Sequence, residues 1–332
     1  MLGLTSCAGP SSVPPADDLA RPLVIAHRGA SGDRPEHTLA AYEEAIRQGA
    51  DFIEPDLVIT CDGILVARHE NEISGTLDVA DRPEFAARRT TKTIDGLEMV
   101  GWFIEDFTLA ELKTLRARER LPELRSTAYD GWFEVPSLDE VIALAKRQGV
   151  GIYPETKHPS YFRSIGLPLE EPLVAALADA GWTTADAPVF IQSFEVRNLE
   201  MLDRMTDVRL VQLLGAPGER PADGSPAYRE LATAKGLARL AATADGIAPH
   251  ISWIIDNGSE TGFVAAAHHA GLEVHPWTLR AENIFLPATY QRGGDPRAAG
   301  DLGTWACVLA AAGVDGLFTD NPGKVLAALR DC

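Results

Sequence analysis

Apolar and polar residues alternate along this chain in the rhythm of short strands followed by amphipathic helices. An apolar run at 23–26 precedes a segment in which Leu39, Tyr42 and Ile46 fall on one helical face. Thr38 stands at the position of a helix N-cap. This first strand–helix unit sets the pattern that most of the chain repeats.

The second apolar run, at 52–59, is followed by the hairpin signal Asp62-Gly63 and by a return run at 64–69. From residue 137 onward the alternation is regular. It predicts strands at 151–154, 188–192, 208–213, 245–249, 272–278 and 314–319, and helices at 137–148, 170–180, 195–205, 227–243, 260–270, 301–312 and 322–330.

With the return run counted as an extension of strand two, the pattern contains eight strand–helix units. We therefore predict an α/β fold, a closed TIM-type (β/α)8 barrel. An open, doubly wound sheet is the alternative. It has little support, because no glycine-rich dinucleotide motif follows the first strand.

Residues 71 to about 135 interrupt this rhythm. The stretch contains many charges, several prolines and few strand-like runs. Thr108 and Glu111 have the spacing of a capping box, which predicts one short helix. We predict a barrel domain spanning 21–332, with a small subdomain inserted at about 71–135 over the barrel mouth.

Residues 1–20 differ from the barrel and have the composition of a leader or tether. Leu4-Thr5-Ser6-Cys7 resembles the lipobox before a bacterial lipidated cysteine, and the small, Pro-rich and polar residues that follow suit a tether. Only six residues precede Cys7, too few for a complete signal peptide. Either the start codon is misplaced or the match arises by chance. We expect an exported protein, periplasmic or at the cell surface, whose link to a membrane is a lipid anchor at Cys7.

The chain is strongly acidic, with 48 acidic against 30 basic residues and a formal net charge of −18. Such a field repels nucleic acid and anionic lipid, so neither is an expected partner. An anionic small-molecule substrate would need a local basic pocket or a bound cation. No apolar run approaches the length of a membrane span.

Four cysteines in 332 residues do not form a disulfide framework. Cys307 and Cys332 would pair if the C-terminal helices pack together. The alternative is separate buried thiols. No two cysteines have the spacing of zinc ligands.

Three carboxylates fall at the ends of neighbouring strands. Glu54 and Asp56 are two residues apart and so share one face of strand two, and Glu155 ends strand three. A surface pair is the alternative for the first two, but Phe52 and Ile53 indicate a buried strand. Barrels place their chemistry at these strand ends. Carboxylates without cysteine predict a hard oxygen site for one divalent cation, Ca²⁺ or Mg²⁺ rather than zinc.

Two histidines frame these carboxylates, His27 at the end of strand one and His69 at the end of the return run. We interpret them as a general acid and a general base, and favour His69 as the acid because it comes from the hairpin. Arg28 suits bidentate contact with a phosphate. Lys157 shares a face with Glu155 and would hold an anionic oxygen, with a simple salt bridge as the alternative.

Gln192 and Trp277 also end predicted strands and are weaker candidates for contacts with the substrate, since either suits core or rim packing equally well. The five histidines His158, His250, His268, His269 and His275 are interpreted as structural. Taken together, the candidates predict a metal-assisted site that cleaves a phosphate ester.

Motifs across the chain support this interpretation. They are His27-Arg28-Gly29-Ala30, Pro35-Glu36-His37-Thr38, Glu54-Pro55-Asp56, His69-Glu70, Pro154-Glu155-Thr156-Lys157, Gln192-Ser193-Phe194, Trp277-Thr278 and Thr319-Asp320-Asn321-Pro322. Together they resemble the glycerophosphodiester phosphodiesterase family. Within the inserted stretch, the run from Gly101 to Thr108 resembles the periplasmic bacterial branch of that family.

The resemblance implies hydrolysis of glycerophosphodiesters to sn-glycerol 3-phosphate and an alcohol. It also implies a barrel with an inserted subdomain, a divalent metal at Glu54, Asp56 and Glu155, and acid–base histidines at His27 and His69. The nucleophile is left open between water and the substrate's own 2-hydroxyl.

Two alternatives to this function stay open. A lysophospholipase D or sphingomyelinase D-like phosphodiesterase would need an apolar groove, which the polar and acidic insertion does not indicate. A non-catalytic surface binding protein on the same scaffold is the other, because a fold does not fix a function. Such a binder would have no need of the histidines and carboxylates.

Overall fold

A computed structural model describes residues 21–332, so the predicted lipid-attachment residue Cys7 and the tether lie outside the described residues. Eight strands form the ring of a barrel. They are Leu23–His27, Phe52–Glu54 continued by Asp56–Ile59, Gly151–Ile152 continued by Glu155–Thr156, Phe190–Ser193, Arg209–Leu214, Gly246–Pro249, Glu273–Val274 and Gly316–Thr319. We number them strands 1 to 8 in this order.

The ring is closed and parallel. Strand 1 pairs with strands 2 and 8, and the ladder runs on through strands 3, 4, 5 and 6 to strand 7. Backbone N–H groups of Asp315 and Phe318 donate to the carbonyls of Val274 and Pro276, at 2.9 and 3.1 Å, and so join strand 8 to strand 7. This confirms the predicted (β/α)8 barrel over the open sheet.

Helices follow the strands as the amphipathic pattern predicts. They are Leu39–Arg47, Leu138–Gln148, Glu170–Asp179, Val196–Leu202, Tyr228–Leu231, Ala234–Leu240, Phe263–His269, Leu302–Ala311 and Pro322–Leu329, with Leu109–Leu112 in the insertion and Pro159–Ser164 after strand 3. The Thr38 side chain accepts from the backbone N–H of Ala41, and Ser137 forms the predicted capping box with Glu140. Within residues 21–332, no helix combines the length and apolar character needed to cross a membrane.

Two predicted elements are wrong in extent. The single helix at 227–243 is two short helices, because Thr233 adopts an extended conformation and caps the second one through the backbone N–H of Gly236. The strand at 272–278 is regular only at Glu273–Val274. Beyond Val274, the backbone N–H groups of His275 and Trp277 still donate to carbonyls of strand 6, but Pro276 between them has no N–H to donate.

The insertion also differs from expectation. Thr90–Ile94 and Leu97–Gly101 form an antiparallel hairpin. The sequence pattern of the insertion, which has few strand-like runs, does not predict it. Its turn is Asp95-Gly96, with both residues at positive φ, which is the signal of a tight hairpin turn. The capping box at Thr108 is confirmed. Buried apolar side chains of the insertion belong to the same core cluster as those of strand 2, although its status as a subdomain stays a prediction.

Cys307 and Cys332 form a disulfide, with Cα atoms 5.7 Å apart, that joins the helix Leu302–Ala311 to the segment after the last helix. Cys61 is free and exposed. The alternative of separate buried thiols is therefore wrong.

Candidate active site

The site stands on an aromatic layer inside the barrel. Phe52, Tyr153, Phe190 and Phe318 pack there with Ile25 at or near zero exposure. Side chains two residues apart on a strand point the same way. The side chains two positions later should therefore also point inward. In chain order from Ile25 to Phe318, they are His27, Glu54, Glu155, Gln192 and Asp320.

Three buried carboxyl groups meet at this level. Glu54, Asp56 and Glu155 each offer an oxygen within 4.8 Å of the other two, and none is more than 5% exposed. Pro55 separates the two halves of strand 2, and beyond it Asp56 pairs directly with Glu155 on strand 3. The structure thus brings together the three residues predicted to bind metal.

These oxygens are only partly satisfied by the protein. Glu54 accepts from the backbone N–H of Arg28 at 2.7 Å and from Gln192 Nε2 at 3.0 Å. Asp56 Oδ2 lies 2.8 Å from His37 Nε2, whereas buried Asp56 Oδ1 has no hydrogen-bond donor. A buried carboxylate oxygen without a partner is costly. Carboxylate donors with one such oxygen fit a hard divalent cation.

The crowding of the three carboxyl groups also shifts their pKa values. Burial, followed by repulsion from Asp56 and Glu155, raises the pKa of Glu54 well above its usual range. Burial and the charge of Asp56 raise the pKa of Glu155 to about 8 against the pull of Lys157. Burial also acts against ionised Asp56, but Lys157 and His37 outweigh it and hold that pKa well below normal. The raised pKa values of Glu54 and Glu155 are those expected of buried carboxyls that repel one another, and a cation between them would relieve this repulsion.

His27 forms a dyad with a carboxylate from the last strand. Its Nδ1 lies 2.6 Å from Asp320 Oδ1, and its Nε2 accepts from Arg28 Nε at 3.2 Å. Burial and the positive charge of Arg28 lower the pKa of His27 to about 4, in spite of Asp320. The imidazole is therefore neutral at pH 7, with Nδ1–H donating to the carboxylate.

His69 forms the second dyad. Its Nδ1 is hydrogen-bonded to Glu70, and its side chain is about one quarter exposed. Burial, then the charges of Arg28 and Lys157, lower the pKa of His69 to about 3. Both predicted acid–base histidines are thus neutral imidazoles, each oriented through Nδ1 by an acidic side chain.

Two cations border the carboxylates. Arg28 has a φ of 61°, a left-handed conformation that is uncommon outside glycine and that accompanies the bond from its N–H to Glu54. Its guanidinium lies 3.0 Å from Glu36 and 3.5 Å from Asp56. Lys157 Nζ lies 2.8 Å from Glu155. Both positive charges therefore adjoin the site where an anion would bind.

The two weaker candidates have different positions. Gln192 is buried, and because its Nε2 donates to Glu54 while its Oε1 has no partner, it belongs to the carboxylate cluster. Trp277 lies at the rim, packed edge-on against Phe194 and His250 with its indole N–H donated to the carbonyl of Ala248.

Sequence reasoning from the residues missed several members of the site. Asp320 could have been found, because it stands two positions beyond inward-facing Phe318 at the end of a strand. His37 bridges Asp56 and the hydroxyl of Tyr42 from a loop, where no periodicity points to it. Glu36 lies in the same loop and accepts from Arg28 and Arg120, and no pattern in the sequence assigns it a role.

A cleft of about 430 Å³ opens beside Glu155 and Lys157. Its other walls include Phe194, Tyr228 and Arg220. Ligand pockets in proteins commonly have volumes of ~300–1,000 Å³, so this space suits a small organic phosphate.

Known proteins similar to this chain belong to one family. The model of the glycerophosphoryl diester phosphodiesterase family matches residues 27–324. A glycerophosphodiester phosphodiesterase of Arabidopsis thaliana is 37% identical over 92% of this chain and 85% of its own length. A Haemophilus influenzae enzyme of the same name is 28% identical over 93% and 90%.

A solved structure shares the fold. The Oleispira antarctica phosphodiesterase, determined in complex with the product sn-glycerol-3-phosphate, superposes with a TM-score of 0.59 and 24% identity over 93% of this chain and 97% of that one.

Proposed function

The chain belongs to the glycerophosphoryl diester phosphodiesterase family, and on that premise we propose that it hydrolyses glycerophosphodiesters to sn-glycerol 3-phosphate and an alcohol. One observation carries this proposal. Two histidine–carboxylate dyads, His27–Asp320 and His69–Glu70, adjoin a buried cluster of three carboxylates with a partnerless oxygen. Acid–base groups beside a cation site can together cleave a phosphodiester, the first by proton transfer and the second by polarising the phosphoryl oxygens.

Glu54, Asp56 and Glu155 would hold the cation, with Gln192 completing the cluster. A divalent ion there, for which Ca²⁺ and Mg²⁺ suit the all-oxygen ligands, would polarise the phosphoryl oxygens as a Lewis acid. Arg28 and Lys157 would bind the remaining phosphoryl oxygens and share their negative charge.

The histidines would move the protons. One neutral imidazole accepts a proton from the nucleophile, either water or the substrate's 2-hydroxyl. In the second case a cyclic phosphate forms as the alcohol leaves, and water then opens it to give sn-glycerol 3-phosphate. The other imidazole gives a proton to the leaving alkoxide, having gained it in the complex, where the bound anion raises its pKa. Asp320 and Glu70 each stabilise the imidazolium that forms. We propose His69 as the acid.

The lipid-cleaving and binding-only alternatives receive no such support. The cleft is bordered by charged side chains, among them Asp95, Glu195 and Arg220, and these do not suit an acyl chain. A pure binding protein would have no use for two oriented imidazoles.

A product assay tests the function. Purified enzyme should release sn-glycerol 3-phosphate and choline from glycerophosphocholine, and should turn over lysophosphatidylcholine at least ~100-fold more slowly in kcat/KM, the selectivity that ~2.7 kcal/mol of unfavourable burial produces. Coupled detection of sn-glycerol 3-phosphate measures both reactions. Equal or faster cleavage of the lysolipid would contradict the proposal in favour of a lysophospholipase D.

We also propose that the protein is exported and anchored through Cys7. The lipobox-like sequence and tether support this, as does the Cys307–Cys332 disulfide, since disulfides persist in oxidising compartments. Expressed from its gene with the natural upstream region, the protein should incorporate labelled fatty acid and sediment with membranes, and Cys7→Ser should abolish both. Cys61→Ser is the control. An in-frame stop codon immediately before Met1 would remove the argument.

A further inference from the structure

Two arginines of the insertion reach the acidic partners of the two histidines. Arg120 spans Glu36 and Glu70, with Nη1 and Nη2 at 2.9 and 2.6 Å from the two oxygens of Glu70. Its Nε and Nη2 are both 2.7 Å from the oxygens of Glu36. Glu70 is in turn the partner of His69. A forked guanidinium bound to both oxygens fixes the plane of that carboxylate.

Arg125 contacts the carboxylate of the other dyad through one of its two oxygens. Its Nη2 lies 2.6 Å from Asp320 Oδ2, while Oδ1 of the same carboxylate faces His27. Its Nη1 donates to the carbonyl of Ser31 at 2.9 Å, and its Nε lies 2.5 Å from Glu282. The Arg125 side chain is only 7% exposed. Arg280 also contacts Asp320, at 3.0 Å, from the loop after strand 7.

The two dyads are built from different elements, since His69 and Glu70 are adjacent in sequence whereas His27 and Asp320 lie on the first and last strands. One short segment of the insertion, residues 120–125, nevertheless contacts both. Each histidine can keep its Nε2 directed at the substrate only if the carboxylate bonded to its Nδ1 is itself held in place. Without Arg120, the Glu70 carboxylate would lose its forked arginine partner, and without Arg125, Asp320 would keep only Arg280 as an arginine partner. In both cases the carboxylate that sets the tautomer and orientation of the imidazole would be held less firmly.

We propose that Arg120 and Arg125 are positioning residues, Arg120 acting through Glu70 on His69 and Arg125 acting through Asp320 on His27. The insertion then completes the active site. This inference rests on the acid–base roles of the two histidines in the proposed function.

Glutamine substitutions measure the effect. Arg120→Gln and Arg125→Gln should each lower kcat on glycerophosphocholine by about 10–100-fold, the usual loss when the outer partner of a site residue is removed. KM and the binding of Ca²⁺ alone, followed by calorimetry, should change little. Arg118→Gln is the matched control, because this neighbouring arginine pairs with Asp81 on the surface, and it should leave kcat unchanged.

Double-mutant cycles separate positioning from general destabilisation. In a His69→Ala background, Arg120→Gln should cause no further loss of kcat, whereas Arg125→Gln should still do so. In a His27→Ala background the pattern should reverse. Arg120→Lys and Arg125→Lys keep the positive charge but lack the forked guanidinium, and they should recover part of kcat. These lysine variants replace the glutamine variants in the test if a glutamine variant does not fold.

Two outcomes would overturn different claims. If each arginine substitution lowers kcat equally in both histidine backgrounds, or abolishes Ca²⁺ binding together with activity, the positioning role is wrong. If His27→Ala and His69→Ala both keep full activity, the proposed acid–base function is wrong, whatever the arginine variants do.

Discussion

Removal of divalent cations should abolish turnover, and Ca²⁺ or Mg²⁺ should restore it. The reason is the cluster of Glu54, Asp56 and Glu155, which cannot all be ionised in a buried site without a positive charge between them. Chelated and dialysed enzyme should be assayed with glycerophosphocholine before and after each cation is added. Full activity in protein shown by elemental analysis to be free of metal would contradict this prediction.

Substitution of a ligand should act through metal affinity. We expect Glu54→Gln to weaken the apparent affinity for Ca²⁺ by at least ~10–100-fold, the loss typical when a residue hydrogen-bonded to a metal ligand is removed. Excess cation should restore part of the activity. Glu43→Gln, on the exposed face of the first helix, is the matched control and should bind as the parent does.

Metal affinity should also depend on pH. The pKa of Glu155 in the cation-free site is raised to about 8, and a ligand must lose its proton to bind. Protons therefore compete with the cation below that pH. Calorimetric affinity for Ca²⁺ should therefore fall as the pH drops from 8 to 6.

Substitution of His27 or His69 should greatly lower kcat without weakening the binding of the divalent cation. General acid–base groups typically contribute ~10²–10⁴-fold. His27→Ala and His69→Ala should each lower kcat by that order with a modest change in KM. Calorimetry should find Ca²⁺ binding intact in both variants. His269→Ala, an exposed residue on a barrel helix, should behave as the parent enzyme.

An activated leaving group should separate the two roles. A p-nitrophenyl ester needs little protonation of its leaving oxygen, so the acid histidine matters less with it while the base matters as before. We expect His69→Ala to recover most of its lost kcat on this ester and His27→Ala to recover little. Recovery by His27→Ala alone would exchange the roles. If both variants lost Ca²⁺ binding in parallel with activity, the histidines would be ligands.

Local rules determined much of this protein. Period-two alternation placed Glu54, Asp56 and Glu155 on inward faces, the Asp62-Gly63 hairpin returned His69 to the same end of the barrel, and caps at Thr38 and Ser137 began helices where the structure has them. These features depend on neighbours a few residues away, so the sequence alone predicts them. The same rule applied to strand 8 would have added Asp320.

Tertiary structure decided the rest. The His27–Asp320 contact joins residues 293 positions apart, and it exists only because the last strand closes the ring against the first. His37, Arg120 and Arg125 lie in loops, where no periodicity fixes the direction of a side chain. The positions of Arg120 and Arg125 follow from how the insertion packs on the barrel, and all three side chains pair with buried carboxylates. Local pattern therefore specified the carboxylates and histidines, whereas long-range closure and charge pairing selected the residues that hold them in place.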